Sequence, residues 1–76
     1  MPQVEKGSVS VSTPSTAVTF DRPMADANFS VVWVCRDPDD AELIIGCTVD
    51  PAEFTTTGFM VRPVDDGIFD YIAVNN

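Results

Sequence analysis

The chain contains no histidine and only four basic residues against twelve acidic ones, which gives a net charge of −8 over 76 residues. Histidine is the commonest general base and the commonest transition-metal ligand, so an acid–base catalytic site or a transition-metal site in this chain would lack its commonest residue. The excess negative charge repels phosphate backbones, which argues against a nucleic-acid partner. No apolar run approaches the length of a membrane-spanning helix and no secretion leader opens the chain, so no membrane partner is expected.

The missing histidine also makes catalysis an unfavourable interpretation. Serine and threonine hydroxyls are present, but no imidazole can activate them as nucleophiles. The paired carboxylates Asp39-Asp40 and Asp65-Asp66 could act as acid and base, yet both pairs fall in predicted turns, where solvated aspartate is the ordinary case. We therefore predict that the protein is not an enzyme and holds no cofactor.

Calcium is the chemical alternative, because the same turns offer hard oxygen ligands. The candidates are Asp37-Pro38-Asp39-Asp40 and Asp65-Asp66. Their spacing fits no EF-hand loop, whose glycine and terminal glutamate are both missing. Turn capping explains both clusters, so no metal ligand is assigned.

The two cysteines, Cys35 and Cys47, lie in apolar segments, and free cysteine commonly behaves as a small buried hydrophobe. A disulfide would require the two strands to be neighbours in a register that brings the thiols opposite each other. A hairpin that turns at residues 37–41 does not place them directly across. Buried free thiols are the favoured interpretation.

Hydrophobic residues make up 45% of this small chain. A domain of this size buries only about 60% of the surface of its unfolded chain, and such a core supplies roughly 3–5 kcal/mol. The chain therefore has more hydrophobic residues than a domain of this size easily buries. This surplus favours oligomerisation over the alternative of an ordinary core with a few exposed valines.

Six short segments show strand-like alternation or β-branched content, and proline, glycine or aspartate separates each from the next. They span residues 7–12, 17–20, 29–36, 43–49, 60–64 and 68–74. No helical spacing persists for three turns. The pattern predicts an all-β fold, a small six-stranded antiparallel β-sandwich.

Turn residues predict how these strands connect. Pro38 and its flanking aspartates predict a hairpin between residues 29–36 and 43–49, and Asp66-Gly67 predicts a hairpin between residues 60–64 and 68–74. Residues 1–7 have little pattern and are predicted to be a frayed end or an arm that docks on a neighbour. Residues 8–76 then form the single domain.

The strand at residues 29–36 is apolar on both faces, so it is either central in the sandwich or covered by another subunit. Val32 and Val34 occupy the second apolar face and are candidate interface residues. Arg36 and Arg62 are also assigned to an interface, because a planar guanidinium suits such contacts.

Trp33 and Tyr71 are the candidates for a ligand site, as an aromatic platform on which a sugar could stack while Arg36 or Arg62 binds its hydroxyl groups. Trp33 alternates with valine and cysteine, which favours a core position. Tyr71 is expected to be the more open of the two.

Residues 18–74 resemble the H-type lectin-like β-sandwich found in bacteriophage tail and appendage proteins. The resemblance is carried by Val18-Thr19-Phe20, Pro23-Met24, Val31-Val32-Trp33-Val34, Leu43-Ile44-Ile45, Thr48-Val49, Thr57-Gly58-Phe59-Met60-Val61 and Phe69-Asp70-Tyr71-Ile72-Ala73-Val74. It implies a six-stranded sandwich that assembles into trimers, with sugar-binding or purely architectural roles among its relatives. Lectin members favour tryptophan where this chain has Asp70-Tyr71, so no sugar-binding residue is assigned by resemblance.

The leading prediction is a non-enzymatic structural protein of a bacteriophage virion, assembled in the host cytoplasm. It would be a homotrimeric tail fibre, collar or decoration element that contacts other virion proteins. The alternative is a carbohydrate-binding module that attaches to glycans on the host surface, and a generic adaptor domain without a ligand is the third interpretation.

Overall fold

The computed structural model describes residues 2–76, which form six β-strands and one short 3₁₀ helix. The strands are β1 Val4–Val11, β2 Thr16–Thr19, β3 Phe29–Arg36, β4 Cys47–Thr48, β5 Gly58–Pro63 and β6 Gly67–Asn75. The 3₁₀ helix, Pro51–Glu53, begins after Asp50, whose carboxylate accepts a hydrogen bond from the Ala52 amide at 3.0 Å.

The strands form two three-stranded antiparallel sheets. The first sheet has the order β1-β6-β3 and the second has the order β2-β5-β4. The prediction of a small six-stranded antiparallel β-sandwich is confirmed. β6 is the central strand of the first sheet and pairs with β1 on one side and β3 on the other.

The predicted hairpin between β5 and β6 is wrong, and the one after β3 forms only beside its turn, where the Asp37 amide donates to the Leu43 carbonyl at 2.9 Å and the Ile45 amide to the Cys35 carbonyl at 2.8 Å. β3 pairs with β6, and β5 and β6 lie in different sheets. Residues 43–49 begin beside β3, where Ile44 bridges Arg36, and then cross to the second sheet, where β4 pairs with β5. Turn residues indicate where the chain changes direction, but they do not determine which sheet the next strand joins.

The predicted arm of residues 1–7 is also corrected, because β1 begins at Val4. Residues 4–7 pair with the last part of β6, from Val74 to Tyr71, and so belong to the sandwich. Gly7 allows the close approach of this segment, since a Cβ there would lie 3.3 Å from the Tyr71 ring. The sequence pattern did not reveal this part of β1, because the residues that point inward there are a glutamate and a glycine instead of apolar residues. Met1 lies outside the described residues.

The core lies between the inner faces of the two sheets. Phe69 and Ala73 of β6 are fully buried against Val61 and Phe59 of β5. Aromatic rings pack edge to face or tilted across the sandwich, as Phe59 and Tyr71 do with centroids 5.5 Å apart. Such pairs add about 0.5–1.5 kcal/mol beyond the burial of their area.

Glu5 is a buried carboxylate on the inner side of β1. Its two oxygens accept hydrogen bonds from the backbone amide and the Nη2 of Arg22, each at 3.3 Å. Burial by itself raises the pKa of Glu5, but the Arg22 amide, the Gln3 side chain and the Arg22 guanidinium together lower it below its ordinary value. A buried charge must be paired, so this contact holds the segment after β2 against β1.

Gly58 provides a direct test of the packing of β2 on β5. It has a φ of +156°, and a Cβ at this position would lie 1.8 Å from the carbonyl oxygen of Val18. We expect Gly58→Ala to lower the free energy of unfolding by more than about 2 kcal/mol, because backbone strain is added to a steric clash. Urea denaturation measures this change.

Gly46→Ala is the matched control, since a Cβ at Gly46 meets only the Val64 methyl groups, at 3.9 Å. The same loss of stability in both variants would contradict the assignment.

Candidate functional site

The candidate site is the side of the first sheet that faces away from the core, which we call the outer face. Alternate residues of a strand point to opposite sides of its sheet. The outer face therefore consists of Val4, Lys6, Ser8 and Ser10 of β1, Ile68, Asp70, Ile72 and Val74 of β6, and Ser30, Val32, Val34 and Arg36 of β3.

Exposed apolar side chains are contiguous on the outer face. The register aligns Lys6, Ile72 and Val32 in one row across the three strands, with Val4 in the next row. Val32 is 74% exposed, and Ile72 and Val4 are each about half exposed. Single exposed apolar residues are ordinary, whereas a contiguous apolar patch marks an interaction surface.

Ile44 extends the outer face beyond β3. It forms an antiparallel bridge with Arg36, and residues paired in this way point to the same side of a sheet. Its side chain is largely exposed. The apolar surface therefore continues past the edge strand into the segment that leads to the second sheet.

One ion pair lies within this surface. Arg36 Nε donates to Asp70 Oδ2 at 3.0 Å, and each side chain is about one-third exposed. The Ser8 hydroxyl and then the Arg36 guanidinium hold the pKa of Asp70 below its ordinary value, although burial acts to raise it. Asp70 therefore remains charged at neutral pH in the middle strand of the face.

The outer face contains an open depression of about 660 Å³, lined by Lys6, Ser8, Val32, Val34, Asp70 and Ile72. Its volume falls in the range of small-molecule sites. The depression is lined mainly by apolar side chains, together with the charged Lys6 and Asp70, so it can bind a partner surface or a ligand with an apolar face. Its valine and isoleucine side chains supply apolar contact area, and Lys6 and Asp70 supply charge.

The structure does not place Trp33 and Tyr71 together as an exposed platform. They are paired across β3 and β6, and both lie at inward positions of the strands. Tyr71, expected to be open, is 7% exposed, whereas Trp33, expected in the core, is 40% exposed and stacks on Phe69 with centroids 6.2 Å apart. Both expectations are wrong, and the edge position of β3 is not by itself the reason, because Phe29 and Cys35 on the same side of that strand are buried.

Arg62 lies on β5, in the second sheet, and does not join the outer face. Its two terminal nitrogens contact the two carboxylate oxygens of Glu53, Nη2 to Oε2 at 2.6 Å. This bidentate contact lowers the pKa of Glu53 and raises the pKa of Arg62. Of the predicted site residues, the outer face therefore collects Val32, Val34 and Arg36.

The acidic turns use their carboxylates on neighbouring backbone. The Asp37 carboxylate accepts from the Asp39 amide at 2.8 Å, and the Asp65 carboxylate accepts from the Asp66 amide at 2.8 Å. These contacts are the ordinary way in which aspartate stabilises a turn. Within residues 2–76, no three histidine, cysteine, aspartate or glutamate side chains are placed to hold a metal ion.

Most of the surface was missed in the sequence, including its exposed apolar residues Val4, Ile44 and Ile72 and the basic Lys6. Residues 71–74 are all apolar or aromatic, so alternation gave no sign that Ile72 faces away from the core. Lys6 fell in the segment interpreted as an arm. Extending the two-residue alternation of β1 back to Val4 would have placed Lys6 on the same side of the sheet as Ser8.

Comparison with known proteins adds no assignment. No protein-family model matches the chain, and neither a curated protein nor a solved structure matches it. Among residues 2–76, no helix has the length and hydrophobicity needed to span a bilayer. The functional conclusion therefore depends on the surface of the chain itself.

The ion pair on the outer face predicts a small, pH-dependent contribution to stability. Because the pKa of Asp70 is lower in the folded chain, its carboxylate stabilises the fold above the unfolded value, and this effect is lost as the pH falls through the folded value. We expect Asp70→Asn to cost less than about 1 kcal/mol at neutral pH, because a part-exposed ion pair is screened by solvent. From about pH 4 downward the difference from the unchanged chain should disappear.

Urea denaturation across this pH range measures the effect. Asp39→Asn removes the same charge from an exposed turn and is the control. A deficit in Asp70→Asn that persists unchanged in acid would contradict the role of the charged carboxylate.

Proposed function

We propose that this chain is a non-enzymatic structural subunit that associates with copies of itself through the outer face. The observation that carries the proposal is the contiguity of exposed Val32, Ile72 and Val4 on three neighbouring strands. Full burial of such a side chain is worth about 1.5–3 kcal/mol. Covering this surface with another subunit therefore supplies a driving force that the isolated sandwich does not use.

The distribution of charge supports the same surface. The chain carries twelve acidic residues and four basic ones, so its copies repel one another in general. The outer face departs from that average, because it holds the basic Lys6 and Arg36 and a single acidic residue, Asp70. Self-repulsion is therefore weakest where the apolar side chains are exposed.

The resemblance of residues 18–74 to H-type lectin-like sandwiches supports a trimer and a place in a bacteriophage particle. In this proposal the subunit is a tail fibre, collar or decoration element of the virion, in contact with other virion proteins. Its mechanism is assembly: apolar sheet surfaces meet across subunits and bury area that one subunit leaves in water.

A carbohydrate-binding module for host-surface glycans is the second candidate. The observation that favours it is the 40% exposed Trp33 in the edge strand β3, whose ring could stack against a sugar. A glycan array probed with the folded oligomer tests this function. Binding that disappears in Trp33→Ala would support it, and a flat signal leaves assembly as the proposed role.

Val32→Asp tests the assembly surface. Val32 is 74% exposed in one subunit, so we expect the variant to fold normally but to dissociate, because its carboxylate would be buried in the interface without a partner. Light scattering at micromolar concentration should give three times the mass of one chain for the unchanged protein and a single chain for the variant. Circular dichroism reports whether the fold is kept.

Val64→Asp is the matched control, because Val64 is 76% exposed, is not part of the outer face and receives the same charge. It should remain assembled. A monomeric unchanged protein, or equal dissociation of both variants, would contradict assembly through the outer face.

A further inference from the structure

Cys35 and Cys47 come together at the side of the sandwich where β3 faces β4. Cys35 is on the inner side of β3 and is 1% exposed, while Cys47 in β4 is partly buried against the same core cluster. The chain between them turns back on itself: the Ile45 amide donates to the Cys35 carbonyl at 2.8 Å, two residues before Cys47. The two thiols lie close enough for each to affect the pKa of the other, so the cysteines are neighbours across the two sheets.

The surroundings of the pair are crowded and include the single tryptophan. A Cβ at Gly67 would lie 3.0 Å from Cys35 Sγ and 3.0 Å from Ile45 Cδ1, which shows how closely the chain surrounds the inner thiol. The Trp33 indole lies near enough to the Cys47 thiol to act against the effect of burial on the pKa of that thiol. Cys47 therefore stands between a buried thiol and an indole at the edge of the sheet.

We propose that Cys35 and Cys47 are a modification site that forms an intramolecular disulfide joining the two sheets, with a small-molecule disulfide such as oxidised glutathione as the oxidant. The crossing of residues 43–47 from the first sheet to the second makes this pairing geometrically reasonable. In a hairpin the thiols would be offset along one sheet, whereas here they meet across the core.

The difference in burial sets the order of the steps. The Cys47 thiolate attacks one sulfur of glutathione disulfide, so a mixed disulfide forms and one glutathione leaves as a thiolate. The Cys35 thiolate then attacks the Cys47 sulfur, which forms the protein disulfide and expels the second glutathione. Two protons leave the cysteines, and two electrons pass from the cysteine pair to the oxidant, which becomes two reduced glutathiones.

The environment of the thiols makes oxidation strongly dependent on pH. Burial raises the pKa of Cys35, and the neighbouring Cys47 raises it further, while burial also raises the pKa of Cys47. Because the thiolate is the attacking species, the rate should increase with pH up to and beyond the ordinary range of a cysteine pKa.

The disulfide would join an edge strand of the first sheet to the shortest strand of the second. β3 is an edge strand, and β4 contains only two paired residues. A bond between them removes conformational freedom from the unfolded chain. The oxidised protein should therefore unfold at a higher urea concentration than the reduced protein.

The experiment treats the full chain with oxidised glutathione at mildly alkaline pH and follows intact mass and tryptophan fluorescence. We expect the intact mass of each single chain to fall by two hydrogen atoms, a non-reducing digest to contain a peptide with both Cys35 and Cys47, and the fluorescence of Trp33 to be quenched by the disulfide. Dithiothreitol should restore both the mass and the fluorescence.

Two variants make the outcome decisive. Cys47→Ala should show neither the mass loss nor the quenching, and its urea midpoint should not respond to the oxidant. Cys35→Ala should retain a stable glutathione adduct on Cys47, because the resolving thiol is gone. If Cys35→Ala does not fold, Cys47→Ala alone still separates the intramolecular bond from other oxidation.

Three results would overturn the proposal. They are a folded chain that keeps its full mass in the oxidant, a Cys47–glutathione adduct that persists in the unchanged protein, and a disulfide between two chains.

Discussion

β6 pairs along its length with β1 on one side and with β3 on the other, and this register determines what every residue of the first sheet does. Phe69, Tyr71 and Ala73 face the second sheet, while Asp70 and Ile72 face away from it. A shift of one residue would exchange the two sets, because the side-chain period of a strand is two. It would place a carboxylate in the core and aromatic rings in water. The core and the outer face are thus two consequences of the same pairing.

The sequence was sufficient to predict the fold class and the approximate position of every strand, because alternation and turn residues are local signals. It was not sufficient to predict their partners. Residues 43–49 have the composition of one strand, but only Cys47 and Thr48 form β4, since the preceding residues leave the first sheet to reach the second. The Asp66-Gly67 turn has the composition of a hairpin and connects two sheets. The choice between these arrangements depends on burial against residues distant in sequence, which a local pattern does not report.

The candidate site, like the fold, was predicted where the signal is local and missed where it depends on contacts between distant residues. Val32 and Val34 were recognised because a strand that is apolar on both faces needs a second cover. Trp33 and Tyr71 were misplaced although their alternation was interpreted correctly. They are register partners at inward positions, yet their exposures are 40% and 7%. Phe29 and Cys35 lie on the same side of β3 as Trp33 and are buried, so exposure here depends on which residues of the second sheet cover each position, and local alternation does not report that.

β3 connects the two functional inferences. Its outward residues Val32 and Val34 contribute to the outer face, and its inward Cys35 meets Cys47 of the other sheet. The strand is supported on one side by β6, while residues 44 and 45 contact only its end. A bond from Cys35 to β4 would therefore hold the same strand that presents the assembly surface, and it would do so from the opposite side of the sheet, without occupying that surface. Because the cross-link lies within one subunit and the apolar patch faces outward, oxidation and association can act on β3 independently.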